Sequence, residues 1–192
     1  DELEEIIQES PFEIIGPPAD LSFTSDIRAM QVIGPAQEIL YLTQFKRKIE
    51  EFDSPTPRCS VDQTFIVILA GKSLEDMQDY YSSSFHLNKA PIMESRIRSI
   101  SKAFNLPEDT KYNAAAIEIR DQCLIELDEM PKEATERPIS QGYLSPGISI
   151  VSFKLYDSDK AISGYESQLP NLEQSICLIE KGLNNELIEL IY

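Results

Sequence analysis

The residues best suited to chemistry in this 192-residue chain form the triplet Gly71-Lys72-Ser73, which follows an apolar run. Such a triplet closes the phosphate-binding loop of many nucleotide-binding proteins, where backbone N–H groups curl around the phosphates. That loop needs a glycine five positions before the triplet, and the chain has Ile66 there. We therefore expect no nucleotide site. The alternative is helix capping, in which Gly71 ends one helix and Ser73, with Asp76 three residues on, begins the next.

The histidine and the cysteines predict no metal centre. His86 is the only histidine, and no local zinc-binding spacing surrounds it. Cys59, Cys123 and Cys177 are far apart and odd in number, which argues against a disulfide framework. We interpret Cys123 and Cys177 as buried free thiols on helical faces, consistent with a reducing intracellular compartment.

Acidic side chains are plentiful, but their abundance alone does not identify paired carboxylates. We interpret Glu126, Asp128 and Glu129 as the solvated end of a helix rather than as an acid–base pair. No nucleophile stands at a signature spacing from a base, and no Gly-x-Ser-x-Gly elbow is present. The sequence thus predicts no catalytic residue, no metal and no cofactor, and a protein that is not an enzyme.

Composition and charge limit the partners of the chain. Apolar residues make up 42% and charged residues 26%, as in ordinary globular domains. The net charge of −16 would repel nucleic-acid phosphates, so we expect no direct nucleic-acid binding. No apolar run is long enough to cross a bilayer, so we expect no membrane contact. Because the chain begins at Asp1, we expect it to be a fragment of a longer protein.

Apolar spacing predicts a mainly helical chain. Residues 1–20 are acidic and rich in proline, and we interpret them as an arm before a single helical domain at 21–192. The steadiest helical rhythm lies between Glu108 and Met130. The members of that rhythm are Tyr112, Ala116, Ile119, Cys123, Leu127 and Met130. The pattern favours an all-α fold.

Two segments leave alternatives open. Residues 61–70 combine a capping pattern, which favours helix, with a β-branched run, which favours a buried strand; we predict helix. Residues 148–156 alternate apolar and polar side chains and give a single candidate short strand. The last predicted helix begins at Pro170 and contains Gly182 in its middle. No internal repeat is apparent.

Residues 53–57, which we predict to be an exposed loop, contain Ser54-Pro55 and Thr56-Pro57. Ser54 and Thr56 are therefore candidate sites of proline-directed phosphorylation. The alternative, which we favour, is that the prolines simply stiffen a connector.

The segment 61–130 resembles the telomere repeat-binding factor homology (TRFH) domain, an all-helical module. The resemblance rests on Ala70-Gly71-Lys72-Ser73-Leu74-Glu75, followed after a polar loop by Ala90-Pro91-Ile92-Met93-Glu94-Ser95. It covers about a third of the chain and is closer to a divergent fungal type of the family than to an animal one.

The resemblance implies a TRFH-like helical bundle in a telomere-associated, shelterin-type protein of the nucleus. Such a domain docks short linear motifs of other chromosome-bound telomere proteins in a groove beside the loop between Lys72 and Pro91, while another domain binds DNA. The residues that the resemblance assigns to docking are Leu74, Met77, Tyr80, Tyr81, Phe85, Glu94 and Arg96. For Met77 and Tyr81, packing onto the core at three-to-four spacing is an equal alternative. A homodimer through the ends of the domain is also compatible with it. The alternative is an unrelated helical scaffold or regulatory domain of an intracellular complex.

Overall fold

Three β-sheets dominate the chain in a computed structural model that describes residues 2–49, 53–155, 165–166 and 176–191. Strands account for 40% of the structure and helices for 15%. The all-α prediction is therefore wrong. The chain divides into two compact units, Asp1–Ala134 and Thr135–Tyr192.

The first sheet is an antiparallel meander preceded by one short helix. Its elements are α1 (Glu2–Ile7), β1 (Glu13–Leu21), β2 (Thr24–Ile33) and β3 (Ile39–Phe45), with strand order β1-β2-β3. Leu3 and Ile7 of α1 pack on Met30 and Val32 of β2. The segment 1–20, predicted as an arm, thus contains α1 and most of β1. Prolines are tolerated in β1 because it is an edge strand, where a missing N–H breaks no ladder.

The second sheet has the connectivity strand–helix–three strands. Its elements are β4 (Ile66–Gly71), α2 (Leu74–Phe85), β5 (Met93–Arg96), the short α3 (Arg98–Ala103), β6 (Lys111–Ile119) and β7 (Cys123–Glu129). The strand order is β4-β7-β6-β5, with β4 parallel to β7 and the other pairs antiparallel. Residues 61–70, predicted as helix, are thus mostly β4, and the β-branched run decides the outcome.

The long helix predicted between Glu108 and Met130 is a hairpin of β6 and β7. Arg120, Asp121 and Gln122 connect the strands, and Asp121 and Gln122 have positive φ angles of 61° and 64°. Both faces of β6 and β7 carry buried residues, so their apolar residues need not alternate. Without strict alternation, the spacing of these apolar residues resembles the spacing along one face of a helix.

The second unit contains β8 (Ile150–Lys154), β9 (Tyr165–Glu166), β10 (Ile176–Lys181) and β11 (Leu187–Ile191). Their order is β8-β11-β10-β9, with β8 parallel to β11. β8 lies where the sequence predicts its one strand. The helix predicted from Pro170 is wrong over residues 176–191, which form β10, β11 and a turn that contains Gly182; residues 170–175 lie outside the described residues.

The second and third sheets share one topology. The three strands of the first sheet have the same order and connectivity as the last three strands of that topology. The repeat extends to sequence: Leu124–Leu127 in β7 and Leu187–Leu190 in β11 both read Leu-Ile-Glu-Leu. Both segments hold the same register, since Leu124 pairs with the first residue of β4 and Leu187 with the first residue of β8.

The hairpin turns of the first and third sheets are also alike. Gly34 N–H donates to the Glu38 carbonyl at 2.8 Å, and Gly182 N–H donates to the Glu186 carbonyl at 2.8 Å. In each turn the glutamate side chain also accepts a backbone N–H two residues before it. The chain therefore contains an internal repeat that apolar spacing alone does not display.

Candidate functional site

Two carboxyl side chains of β7 share one face of the second sheet. Glu126 and Asp128 are two residues apart in a strand and therefore point to the same side. Their direct neighbours on β6 are the small residues Ala116 and Ala114. The intervening Leu127 is fully buried on the opposite face. The strand thus holds two acids side by side on a surface with few bulky side chains between them.

The two carboxyls share a hydrogen bond in a poorly hydrated environment. Asp128 is only 2% exposed. Burial, followed by the charge of Glu126 and the hydrogen bond to it, raises the pKa of Asp128 to about 8. Burial also raises the pKa of Glu126, while the hydrogen bond from Asp128 opposes that rise. Near neutral pH, Asp128 therefore holds the proton and donates it to the Glu126 carboxylate.

Asp128 Oδ1 is a buried oxygen without a hydrogen-bond partner among the described residues. A buried polar atom left unpaired costs folding free energy, of the order of 1–3 kcal/mol. Natural proteins keep few such atoms, and those that remain call for an explanation. A bound substrate atom would supply the missing partner.

The first sheet contributes a phenol to the same part of the unit. Tyr41 of β3 packs against a buried cluster formed by Ile97, Ile100, Tyr112 and Ala114. Its hydroxyl lies 2.8 Å from Ser99 Oγ. Burial raises the pKa of Tyr41, the Ser99 hydrogen bond lowers it, and the charges of Asp128 and Glu126 raise it further. Because Ala114 of this cluster is the register partner of Asp128, the phenol lies on the same side of the second sheet as the carboxyl pair.

The short helix α3 joins the two sheets at this point. Ser99 N–H donates to Gln31 Oε1 of β2 at 2.9 Å. Ser101 Oγ lies 3.0 Å from the Tyr112 hydroxyl of β6. The phenol of Tyr41 is therefore held by a helix that is itself bonded to both sheets.

Within the described parts of the chain, no three His, Cys, Asp or Glu side chains are close enough together to hold a metal ion. The carboxyl pair supplies two such ligands, so these described residues do not by themselves form a metal centre. None of the helices in the described residues is long and apolar enough to cross a membrane.

The residues predicted to dock a peptide occupy two different environments. Leu74, Met77 and Tyr81 are 2%, 0% and 4% exposed on the inner side of α2. Tyr80 and Phe85 are partly buried and form an aromatic cluster with Tyr81. A docking role for these residues stays a prediction.

Glu94 and Arg96, the other predicted docking residues, are exposed on β5, away from this aromatic cluster in sequence. Of the two candidate phosphorylation sites, Ser54 is buried and its Oγ accepts the Ile49 N–H at 3.1 Å, whereas Thr56 is exposed. Modification of these residues stays a prediction.

The Gly71-Lys72-Ser73 triplet lies at a strand-to-helix junction. Gly71 is the last residue of β4 rather than the end of a helix. Ser73 caps α2, as the sequence predicts, and its Oγ accepts the Asp76 N–H at 3.2 Å. The prediction of a helix cap at Ser73 is confirmed.

The carboxyl pair is the feature that sequence reasoning misses. The sequence places Glu126 and Asp128 at a solvated helix end, but they lie in a central strand, where Asp128 is buried and Glu126 is half-buried. The available signal is the repeat of Leu-Ile-Glu-Leu at 124–127 and 187–190. The recurrence of the same four residues indicates a repeated strand in which the glutamate occupies the same position each time.

Comparison with known proteins identifies the fold. No family model and no curated protein matches the sequence. Among solved structures, glyoxalase I from Zea mays matches with a TM-score of 0.59 and 16% identity, over 99% of this chain and 62% of that one. A mutant form of that enzyme matches with the same TM-score and identity, over 99% of this chain and 63% of that one. The chain thus spans less than two thirds of the length of these structures.

At 16% identity, this similarity establishes a glyoxalase I-like α/β fold and no more. It is enough to overturn the predicted TRFH family and its telomere, shelterin and chromosome associations. The prediction of a non-enzymatic, TRFH-type docking domain is likewise overturned, because the solved structures that share this fold are those of an enzyme. The nuclear location, the homodimer and the absence of nucleic-acid binding stay predictions.

Proposed function

We propose that this chain is part of a glyoxalase I-type enzyme, in which the Glu126–Asp128 pair moves a proton on a small substrate. The observation that carries the proposal is the hydrogen-bonded carboxyl pair with one buried, unpartnered oxygen, on a fold shared with glyoxalase I. A general base and a general acid work best when their pKa values lie near the working pH. Burial raises the pKa of both carboxyls and so moves each pKa towards neutral pH.

The two acids have distinct roles in this proposal. The Glu126 carboxylate accepts a proton from a carbon atom of the substrate. Asp128, which carries the proton of the resting pair, gives that proton to a neighbouring substrate atom. The proton taken from the substrate then remains on the pair, so the pair regains its resting charge. The net result is a proton moved within the substrate, and no oxidant or second reactant is consumed.

The surroundings fit such a step. Ala114 and Ala116 are the direct neighbours of the carboxyls on β6, so that strand sets no bulky side chain beside them. Ile97, Ile100 and Tyr112 provide an apolar border nearby. An apolar border strengthens electrostatic interactions, because it keeps the local dielectric constant low.

The test is an assay of glyoxalase I activity with the purified chain and three variants. Asp128→Asn and Glu126→Gln keep the shapes of the side chains and remove one acid each, and each should lower kcat at least about 100-fold. Glu129→Gln is the matched control, because Glu129 lies on the same strand but bonds Asn113 on the opposite face at 2.7 Å.

Full activity in Asp128→Asn and Glu126→Gln would exclude the pair as the proton-transfer group. Inactivity of the unmodified chain would contradict the proposed activity itself. A circular dichroism spectrum of each variant shows whether it is folded, so that loss of activity is assigned to chemistry only in folded protein.

A further inference from the structure

The first sheet carries a polar group that the proposed reaction does not yet use. Tyr41 and Gln31 are direct partners in the register of β3 and β2, so their side chains lie on the same face of that sheet. Both reach Ser99 of α3: Tyr41 through its hydroxyl at 2.8 Å, and Gln31 through Oε1, which accepts the Ser99 N–H at 2.9 Å. Ser99 is thereby held at two atoms and fixes the position of the phenol.

The same face of the second sheet meets this phenol. Tyr41 packs on a cluster that includes Ala114, and Ala114 is the register partner of Asp128. Tyr41 also occupies, in β3, the place that Glu126 holds in β7. In the repeated turns Glu38 corresponds to Glu186, so Tyr41, three residues later, corresponds to Glu189. Glu189 is the glutamate of the second Leu-Ile-Glu-Leu phrase, in which it corresponds to Glu126.

The hydrogen-bonding capacity of the two groups is complementary. A tyrosine hydroxyl can donate one hydrogen bond and accept another. When Ser99 Oγ–H donates to the Tyr41 oxygen, the phenol proton is free to point elsewhere. Asp128 Oδ1 meanwhile has no partner among the described residues. The donor and the acceptor thus lie on the side of the second sheet where Tyr41 packs on Ala114, the register partner of Asp128.

We infer that Tyr41 is a second catalytic residue, whose hydroxyl donates a hydrogen bond to an oxygen atom of the substrate while the Glu126–Asp128 pair transfers the proton. This inference rests on the proposed function and deepens it, since it requires a substrate that carries an oxygen next to the reacting carbon. Negative charge that develops on this oxygen in the transition state is stabilised by the phenol. Ser99 is a positioning residue, because it acts through Tyr41.

Tyr41→Phe tests the inference with the ring packing preserved. We expect kcat to fall about 10- to 100-fold with KM changed less than about threefold, because the bond strengthens only as charge develops. Ser99→Ala should give a smaller fall, because the phenol stays present but loses its anchor. The control is Tyr143→Phe, which removes the hydroxyl of a tyrosine that is 79% exposed and should leave kcat unchanged.

A second readout does not depend on activity. In protein labelled with 13C at the tyrosine ring, Asp128→Asn should lower the pKa of Tyr41, because it removes a charge that raises that pKa. The Asp128 carboxylate is ionised in the alkaline range where a phenol titrates, so its charge is present in the unmodified protein.

The outcomes separate the inference from the proposed function. If Tyr41→Phe is as active as the unmodified chain while Asp128→Asn is inactive, the inference is overturned and the proposed function stands. If Tyr41 titrates identically in the Asp128→Asn variant, the phenol is too far from the pair and the inference is likewise overturned. If the unmodified chain has no glyoxalase I activity, both are overturned.

Discussion

Replacing Asp128 by asparagine should change how the stability of the protein depends on pH. Asparagine keeps the size of the side chain and can still donate a hydrogen bond to Glu126, but it does not titrate. In the folded protein the pKa of Asp128 is raised from 3.8 to about 8. A carboxyl with a raised pKa contributes stability that is fully present below its unfolded pKa. That contribution is lost as the pH rises through the folded value.

The magnitude follows from the pKa. Each pH unit of difference between folded and unfolded pKa corresponds to about 1.4 kcal/mol. The rise of the Asp128 pKa spans about four pH units, so the fold loses up to about 6 kcal/mol between about pH 4 and pH 8 through this group. Burial also raises the pKa of Glu126, so that group lowers the stability in the same direction as the pH rises.

Urea unfolding at several pH values between about 4 and 8 measures this effect in both proteins. Exposed acids whose pKa is lowered, such as Asp20 beside Lys46 and Asp62 beside Arg58, have the opposite pH dependence. They are present in both proteins, so their effect cancels in the difference. We expect the free energy of unfolding of the unmodified protein to fall relative to that of Asp128→Asn as the pH rises. Parallel curves would refute the hydrogen-bonded acid pair.

Two further predictions concern the helix α2. Ser73→Ala should cost about 1 kcal/mol of stability, because it removes the hydrogen bond to the Asp76 N–H. Urea unfolding measures this cost, with Ser84→Ala at an exposed position of the same helix as the control. Equal stability of the two variants would contradict the cap. Phe85→Ala should cost about 1–3 kcal/mol of stability, because the centroid of its ring lies 5.7 Å from that of Tyr81 and 6.1 Å from that of Tyr80. An unchanged melting temperature would contradict a structural role for the aromatic cluster.

The sequence predicts local features of the fold better than its class. The cap at Ser73 is recognised correctly because capping depends only on residues within one helical turn. The strand at 150–154 is visible because it alternates apolar and polar side chains. The strands β6 and β7 are missed because both of their faces carry buried residues, which removes the alternation that distinguishes a strand from a helix.

The candidate site is missed for a different reason. Whether Glu126 and Asp128 are solvated or buried depends on what covers their face of β7, and that cover comes from β3 and α3, far away in sequence. An acid in a helix end and an acid in a central strand look alike in composition. Local sequence also misleads the resemblance to the TRFH domain. A short segment such as Ala70-Gly71-Lys72-Ser73 fits a strand-to-helix junction as well as a helix-to-helix junction.

The pH dependence of kcat/KM for glyoxalase I activity tests the central claim most directly. A reaction that uses the Glu126 carboxylate and the protonated Asp128 should give a bell-shaped profile. Its alkaline limb should lie near pH 8, where Asp128 loses its proton, and its acidic limb should lie above the ordinary range of a glutamate. The alkaline limb should be lost in Asp128→Asn together with most of the rate. A profile that stays flat through pH 8, or that is unchanged in the variant, would contradict the proposal.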